Sequence, residues 1–281
     1  MNTTQKVIVN EIREKLGVRR SFLQQMGMAS AGLGDFLATV QTADAQVSDV
    51  DILQFALNLE YLEAEFYTVA RTGKTIDQMG IGITGTGGTG ATVGGKQVTF
   101  IEGSTLAKSA DEIGGDERAH VTLLRTTLSA AGVMPVAKPA INLNALGIGF
   151  GSQEEFITLA RAFEDVGVSA YAGAAPLISN KTYLGVAARI LAAEALHTGN
   201  LRLHAALYNV KVTALDLVDI VPPPTGTRFI SVDAMGLSAI RTPGQVLNII
   251  YGGKANGTSG GFFPSGFNGT LNTSSDAAPR P

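Results

Sequence analysis

The chain has no cysteine, no tryptophan and only three histidines among its 281 residues. Without cysteine it forms no disulfide, offers no thiol nucleophile, and holds neither an iron–sulfur cluster nor a cysteine–zinc site. Charge is also scarce. Asp, Glu, Lys and Arg make up 16% of the chain, and 24 acidic residues against 21 basic ones give a net charge of −3. No basic surplus exists to neutralise phosphates, so no nucleic-acid partner is expected. No charge-free apolar run is long enough for a transmembrane helix, which needs about 18 residues. Hydrophobic residues nevertheless reach 45%, ample for a folded core. Any metal chemistry must therefore fall to carboxylates and to the three histidines.

Residues 1–45 read as an export leader. Arg19-Arg20-Ser21-Phe22-Leu23 precedes a weakly apolar stretch, Met26 to Val40, and Ala43-Asp44-Ala45 gives an A-x-A cleavage pattern. Paired arginines before Ser-x-Phe-Leu are similar to a twin-arginine signal, which implies a periplasmic or extracellular protein. The alternative is an amphipathic N-terminal helix with solvated arginines, and a cytoplasmic protein. Asp35, Glu11 and Glu14 are the residues that favour it.

Residues 46–212 carry four stretches of helical periodicity, from about Val47 to Arg71, Ser104 to Ala131, Ser152 to Ala175 and Lys181 to Tyr208. Between the first two lies a Gly/Thr-rich insertion, Gly80 to Gly95, followed by Gln97-Val98-Thr99-Phe100-Ile101, which reads as a short strand and suggests a hairpin. Gly114-Gly115 is an oddity inside a helix, because glycine weakens helices. Residues 213–281 read as an extension packing on the bundle. Pro222-Pro223-Pro224 opens it, a short helix-like patch spans Pro243 to Tyr251, and the final dozen residues are expected to lack structure.

Two of the three histidines lie three residues after a glutamate, in Glu117-Arg-Ala-His120 and Glu194-Ala-Leu-His197. On a helix, positions i and i+3 face the same way, so each step presents a carboxylate and an imidazole together. The other two long helices each offer one glutamate, Glu60 and Glu164. Each is followed two helical turns later by a tyrosine on the same face, Tyr67 and Tyr171. Leu124-Arg125 and Leu201-Arg202 occupy matching places after the two Glu-x-x-His steps. The chain thus reads as one helix pair repeated.

Glu63 and Glu65 compete with Glu60. The repeat selects Glu60, since Glu63 aligns with Gly167 and Glu65 with Ser169. His204 has Leu201 rather than a glutamate three residues before it, and is read as a satisfied or exposed histidine.

The order Glu, Glu-x-x-His, Glu, Glu-x-x-His is the known ligand pattern of di-iron and di-manganese carboxylate bundles. Two divalent ions carry four positive charges, which four glutamates offset, and neutral imidazoles complete the ligand set. Mixed oxygen and nitrogen donors suit Fe or Mn. The expected metal ligands are Glu60, Glu117, His120, Glu164, Glu194 and His197. Tyr67, Tyr171 and Glu63 are expected to support them.

Around these residues the sequence resembles the ferritin-like domain family that includes the desiccation-related proteins. The resemblance covers about residues 50–275. It is carried by Leu57-Asn-Leu-Glu-Tyr-Leu-Glu-Ala-Glu-Phe-Tyr67, Asp116-Glu-Arg-Ala-His120, Ala193-Glu-Ala-Leu-His197, and the tail segments Thr242–Tyr251 and Gly260–Gly269. It implies an all-α, ferritin-like four-helix bundle with a dinuclear centre and a link to stress tolerance. Two Fe or Mn ions reacting with oxygen or peroxide would give ferroxidase, peroxidase or catalase-like chemistry. The alternative is a structural or assembly-forming envelope protein on the same bundle. A homo-oligomer is compatible with either.

Overall fold

A computed structural model describes residues 47–279. Four long helices form its core: α1 (Asp49–Thr72), α2 (Thr105–Ala130), α3 (Gln153–Ala174) and α4 (Lys181–Leu207). A short α5 (Pro243–Ile250) follows. Each boundary has a local cause. The side chains of Ser48, Ser104, Ser152, Asn180 and Thr242 accept hydrogen bonds from first-turn backbone N–H groups that would otherwise have no partner. At α1 the box is reciprocal, with Asp51 accepting from the Ser48 N–H, and Gly73 ends the helix in the left-handed region (φ 71°). Glu155 forms no such box at α3. Its carboxylate instead accepts from the N–H groups of Gly149 and Gly151, fastening the turn before the helix.

The helices pack as two antiparallel hairpins, α1 with α2 and α3 with α4. Contacts of α1 with α3 and of α2 with α4 join the hairpins. Helix α1 is buried on every side from Ile52 to Ala70, whereas α2 is exposed along one face. A helix surrounded in this way needs apolar residues all round. It is mostly apolar, and its buried polar side chains include Gln54 and Asn58, hydrogen-bonded to the loop after α2 and to the C-terminal segment, and the carboxylates of Glu60 and Glu63 at the bundle centre. Gly114 explains itself here: a Cβ at this position would sit 3.0 Å from the Tyr67 Cβ, so glycine sets the close approach of α2 to α1.

The insertion after α1 contains no hairpin. Gln97–Ile101 is irregular chain, tied down by the Val98 N–H donating to Ala70 O and by the buried Phe100. The only strand pairing in named strands among the described residues is a two-residue parallel contact between β1 (Thr92–Val93) and β2 (Ile141–Asn142). Glu65 anchors this layer from inside. Its carboxylate accepts from the Thr92 hydroxyl (2.7 Å) and the Ile76 N–H (3.1 Å), and it lies 3.4 Å from the buried Lys138 ammonium. The apparent rival of Glu60 is thus a structural residue.

The C-terminal segment is ordered through Pro279, contrary to the expectation for its last dozen residues. Asn58 and Asn268 exchange hydrogen bonds, with Asn58 Nδ2 donating to Asn268 O and the Asn268 N–H donating to Asn58 Oδ1. The Tyr251 hydroxyl donates to Asn272 O, and Ser274 and Ala278 are buried. The aromatic residues scattered along the tail make this possible. Phe267 packs on Phe55 at 5.3 Å, and Phe262 packs edge-on against Phe163 at 5.0 Å. Each buried ring contributes roughly 1.5–3 kcal/mol, more than its segment's polarity suggests. Among the described residues no helix is long and apolar enough to cross a membrane. The leader reading falls on residues 1–45, outside the described residues.

Candidate metal centre

The four helices bring all six expected ligands together at the centre of the bundle. Glu60, Glu117, Glu164 and Glu194 are each fully buried, and His120 and His197 are nearly so. Their donor atoms form two overlapping groups. One comprises Glu60, Glu117, His120 and Glu194; the other comprises Glu117, Glu164, Glu194 and His197. Within each group the donor atoms all lie within 4.8 Å of one another. Glu117 and Glu194 belong to both.

Both imidazoles point Nδ1 inward. His120 Nδ1 lies 3.2 Å from Glu60 Oε2, 3.3 Å from Glu117 Oε2 and 3.5 Å from Glu194 Oε1. His197 Nδ1 lies 3.0 Å from Glu117 Oε1 and 3.2 Å from Glu164 Oε2. One ring nitrogen can serve one oxygen at a time, so these contacts leave acceptors over. Glu60 Oε2, Glu117 Oε1 and both carboxylate oxygens of Glu194 have no hydrogen-bond partner. Buried carboxylates without partners are costly. Several such atoms converging on one small volume, beside two ring nitrogens, fit a site for cations.

The electrostatics agree. Burial, reinforced by the charges of Glu117 and Glu164, pushes the Glu194 carboxyl well above its ordinary range. Burial and the same crowd of carboxylates do so for Glu63, and the Glu117 carboxyl rises to about 7 through burial and the Glu60 charge. Burial alone would lower the two imidazoles. Hydrogen bonds to the surrounding glutamates outweigh it, raising His120 strongly and His197 to about 12. Burial also pushes Glu60 upward, but the close approach of the His120 imidazole leaves it below the usual value. The protein alone thus retains protons in this cluster that divalent ions would replace.

A model of the ferritin-like domain family matches residues 48–207. The chain belongs to this family. A protein of Nesocodon mauritianus named ferritin-like catalase Nec2 is 23% identical over 285 aligned residues, covering 83% of this chain and 88% of the relative.

The supporting residues of this ferritin-like bundle sit differently from their sequence-based placement. Each tyrosine shares its own glutamate's face but serves the other helix's glutamate. The Tyr67 hydroxyl on α1 donates to Glu164 Oε1 on α3 at 2.6 Å, and the Tyr171 hydroxyl on α3 donates to Glu60 Oε1 on α1. Burial and the adjacent carboxylates raise both phenols well above their ordinary value, so both remain donors. Glu63 is buried beside the cluster and enters neither donor group. It borders the space over Gly167, where a Cβ would lie 2.6 Å from Glu194 Oε2 and 3.2 Å from Glu63 Oε1. The repeat position that holds a glutamate in α1 therefore holds, in α3, the glycine that makes room for it.

Asp116 is the residue that sequence reasoning missed. Its Oδ2 lies 3.1 Å from His197 Nε2, across from α2 to α4. A carboxylate there holds the Nε2–H tautomer and leaves Nδ1 free to ligate. Only its place next to Glu117 hinted at a role. The repeated Leu-Arg pairs find parallel uses. Arg125 donates to the Tyr61 hydroxyl, and Arg202 to Asp165 Oδ2 at 2.9 Å, in each half reaching the residue that follows the single glutamate. His204 is neither exposed nor satisfied: it is buried, its Nδ1 has no hydrogen-bond partner, and burial lowers its pKa.

Proposed function

We propose that this ferritin-like protein holds two Fe or Mn ions and decomposes hydrogen peroxide to water and oxygen, as an exported protein of stress protection. The carrying observation is the sharing of Glu117 and Glu194 between two donor groups, each completed by one further glutamate and one imidazole. The name of the Nesocodon relative supports the choice of peroxide.

Glu60 and His120 would help hold one ion, and Glu164 and His197 the other, with Glu117 and Glu194 available to both. When bound, a redox-active pair supplies the two-electron exchange by which one peroxide is reduced and another oxidised. The chain's own residues hold that pair in place. Tyr67 and Tyr171 fix one oxygen of each outer glutamate and so aim the other inward. Asp116 sets the tautomer of His197. The apolar and aromatic packing around α1 keeps bulk water away, which strengthens every charge interaction inside. The Arg19-Arg20 leader would place this activity outside the cytoplasm, so the recovered periplasmic protein should begin near Gln46.

Elemental analysis of protein purified without chelator, paired with oxygen release from peroxide, tests the reading. Two Fe or Mn ions per chain and oxygen release that Glu194→Gln abolishes are the expected results. Loaded protein that releases no oxygen would leave the structural, assembly-forming role as the better account.

A further inference from the structure

The described chain exposes 17 large hydrophobic side chains, and nearly half lie in two short segments. Leu196, Leu203 and Leu207 line the outer face of α4, with Leu196 76% and Leu207 68% exposed. Phe229, Ile230 and Met235 belong to the second segment, Phe229–Ile240. The two are contiguous: Ala195 and Gly199 of α4 share one small cavity wall with Ile230 and Val232, and Arg202 donates to the backbone oxygens of Arg228 and Phe229. Between Leu191 and Leu207 the only fully charged residues are Glu194, buried on the opposite side, and Arg202, buried on the flank beneath the Phe229–Ile240 segment. An outer face with this much apolar area and few charges, Arg189 at its edge and Asp233 tied to its own turn, marks an interaction surface.

The pattern along α4 specifies what covers it. Two glycines interrupt this helix, Gly185 and Gly199, and a Cβ at either would meet nothing within 4 Å. No contact among the described residues needs them, although each weakens the helix by about 1 kcal/mol relative to alanine. Both lie on the exposed stripe, with Ala188, Ala192, Leu196, Leu203 and Leu207. Consider a second α4 laid antiparallel on this stripe, with the two-fold axis between residues 197 and 198. Leu196 then faces Gly199, Leu203 faces Ala192, and Leu207 faces Ala188. Every large side chain meets a small one, and each pairing occurs twice, as an isologous interface requires. The stripe recurs at the three- and four-residue steps that allow helices to mesh at a shallow angle. With the flanking Phe229–Ile240 segment, each copy presents about two dozen surface residues, matching the roughly 20–30 per side of a standard-size interface.

We infer that α4 and the Phe229–Ile240 segment form a two-fold interface with a second copy of this chain. The surface lies on the far side of α4 from the metal ligands, so the inference stands or falls independently of the peroxide reading.

Sedimentation and light scattering of the full chain provide the test. The expected mass is that of two chains, and Leu203→Glu should raise the dissociation constant at least about a hundredfold without lowering metal content. Leu196→Arg should act alike, which separates interface loss from misfolding of one variant. Because the chain lacks cysteine, the register can be read directly. On mixing, copies bearing Ala192→Cys and copies bearing Leu203→Cys should oxidise to the mixed disulfide in preference to either homodisulfide. A folded single-chain mass across the micromolar range overturns the inference, whether residues 1–46, a vesicle surface or nothing covers the patch. A dimer indifferent to both charge variants also overturns it, and preferential homodisulfides overturn the antiparallel register.

Discussion

Tyr171 and Glu60 are separated by 111 positions in sequence and share a buried hydrogen bond at the centre of the molecule. Its mirror, Tyr67 to Glu164, ties the same two helices in the opposite sense. The pair of bonds braces α1 against α3 at the level of the cluster. Removing one hydroxyl with Tyr171→Phe leaves the ring packing intact and frees one oxygen of Glu60 to rotate. Metal affinity should fall about 10- to 100-fold, measured by titration of the chelator-treated protein with Mn(II), with the helical content unchanged. Tyr67→Phe should weaken binding comparably, because the two bonds hold symmetry-related carboxylates.

Gly167→Ala probes the space that glycine leaves beside Glu194. The added Cβ falls 2.6 Å from Glu194 Oε2, so the carboxylate must turn aside. Alanine also favours the helix. The expected outcome is a metal-free protein at least as stable as the parent but with metal occupancy reduced at both positions, since Glu194 belongs to both donor groups. Thermal melts with and without added metal would show a stabilisation by metal much smaller than in the parent.

Asp116→Asn replaces an acceptor-only carboxylate with an amide at His197 Nε2. The imidazole loses the partner that fixes its tautomer and raises its basicity. Affinity at one of two positions should drop about tenfold or more, producing a biphasic titration where the parent titrates with more nearly equal sites. Asp116 is half-exposed at the surface end of this contact, so the fold should be unaffected.

The metal-free protein should lose stability as pH rises. Glu63, Glu117 and Glu194 keep protons in the folded state that an unfolded carboxyl, near 4.5, gives up. The folded state then binds more protons, and the slope of unfolding free energy with pH is negative above that value. For Glu117, raised to about 7, the loss is on the order of 3 kcal/mol, begins near the unfolded value and levels off only above pH 7. The raised His120 and His197 extend the decline above their ordinary value near 6.5. Glu60, held low, adds stability only as pH rises toward about 4.5 and leaves the decline above that value unchanged. Melting temperatures in chelator should fall from about pH 5 to about pH 8 while the metal-loaded protein changes less. A rising melting temperature over that interval would contradict the assignment.

Much of the centre is written in local spacing. A Glu-x-x-His step places both groups on one helix face because 3.6 residues complete a turn, so Glu117 with His120 and Glu194 with His197 are legible without any structure. Glu60 and Glu164 follow from their matching places in the repeated helix pair. The same arithmetic tells which face a side chain occupies but not what stands opposite. Tyr67 and Glu60 do share a face, yet each phenol is long enough to cross to the neighbouring helix, and the crossing depends on how α1 and α3 pack. Asp116 reaches His197 for the same reason, from a helix whose own periodicity gives no sign of it.

Burial reverses other local readings. Glu65 looks like a rival of Glu60 until the insertion folds over it and supplies Thr92, Ile76 and Lys138 as partners. The last dozen residues read as unstructured because they hold no aromatic residue and little apolar surface, yet Ser274 and Ala278 are buried and Asn248 Nδ2 donates to Ser275 O, contacts that depend on where α5 lies. Sequence by itself determined the helices, the six residues that gather at the centre and the family, since these depend on residue type and on a fixed rise per turn. Tertiary structure alone decided the exchanged tyrosines, the room beside Gly167 and the apolar stripe on α4 that no other described residue covers, because each depends on what a distant part of the chain brings within a few ångströms.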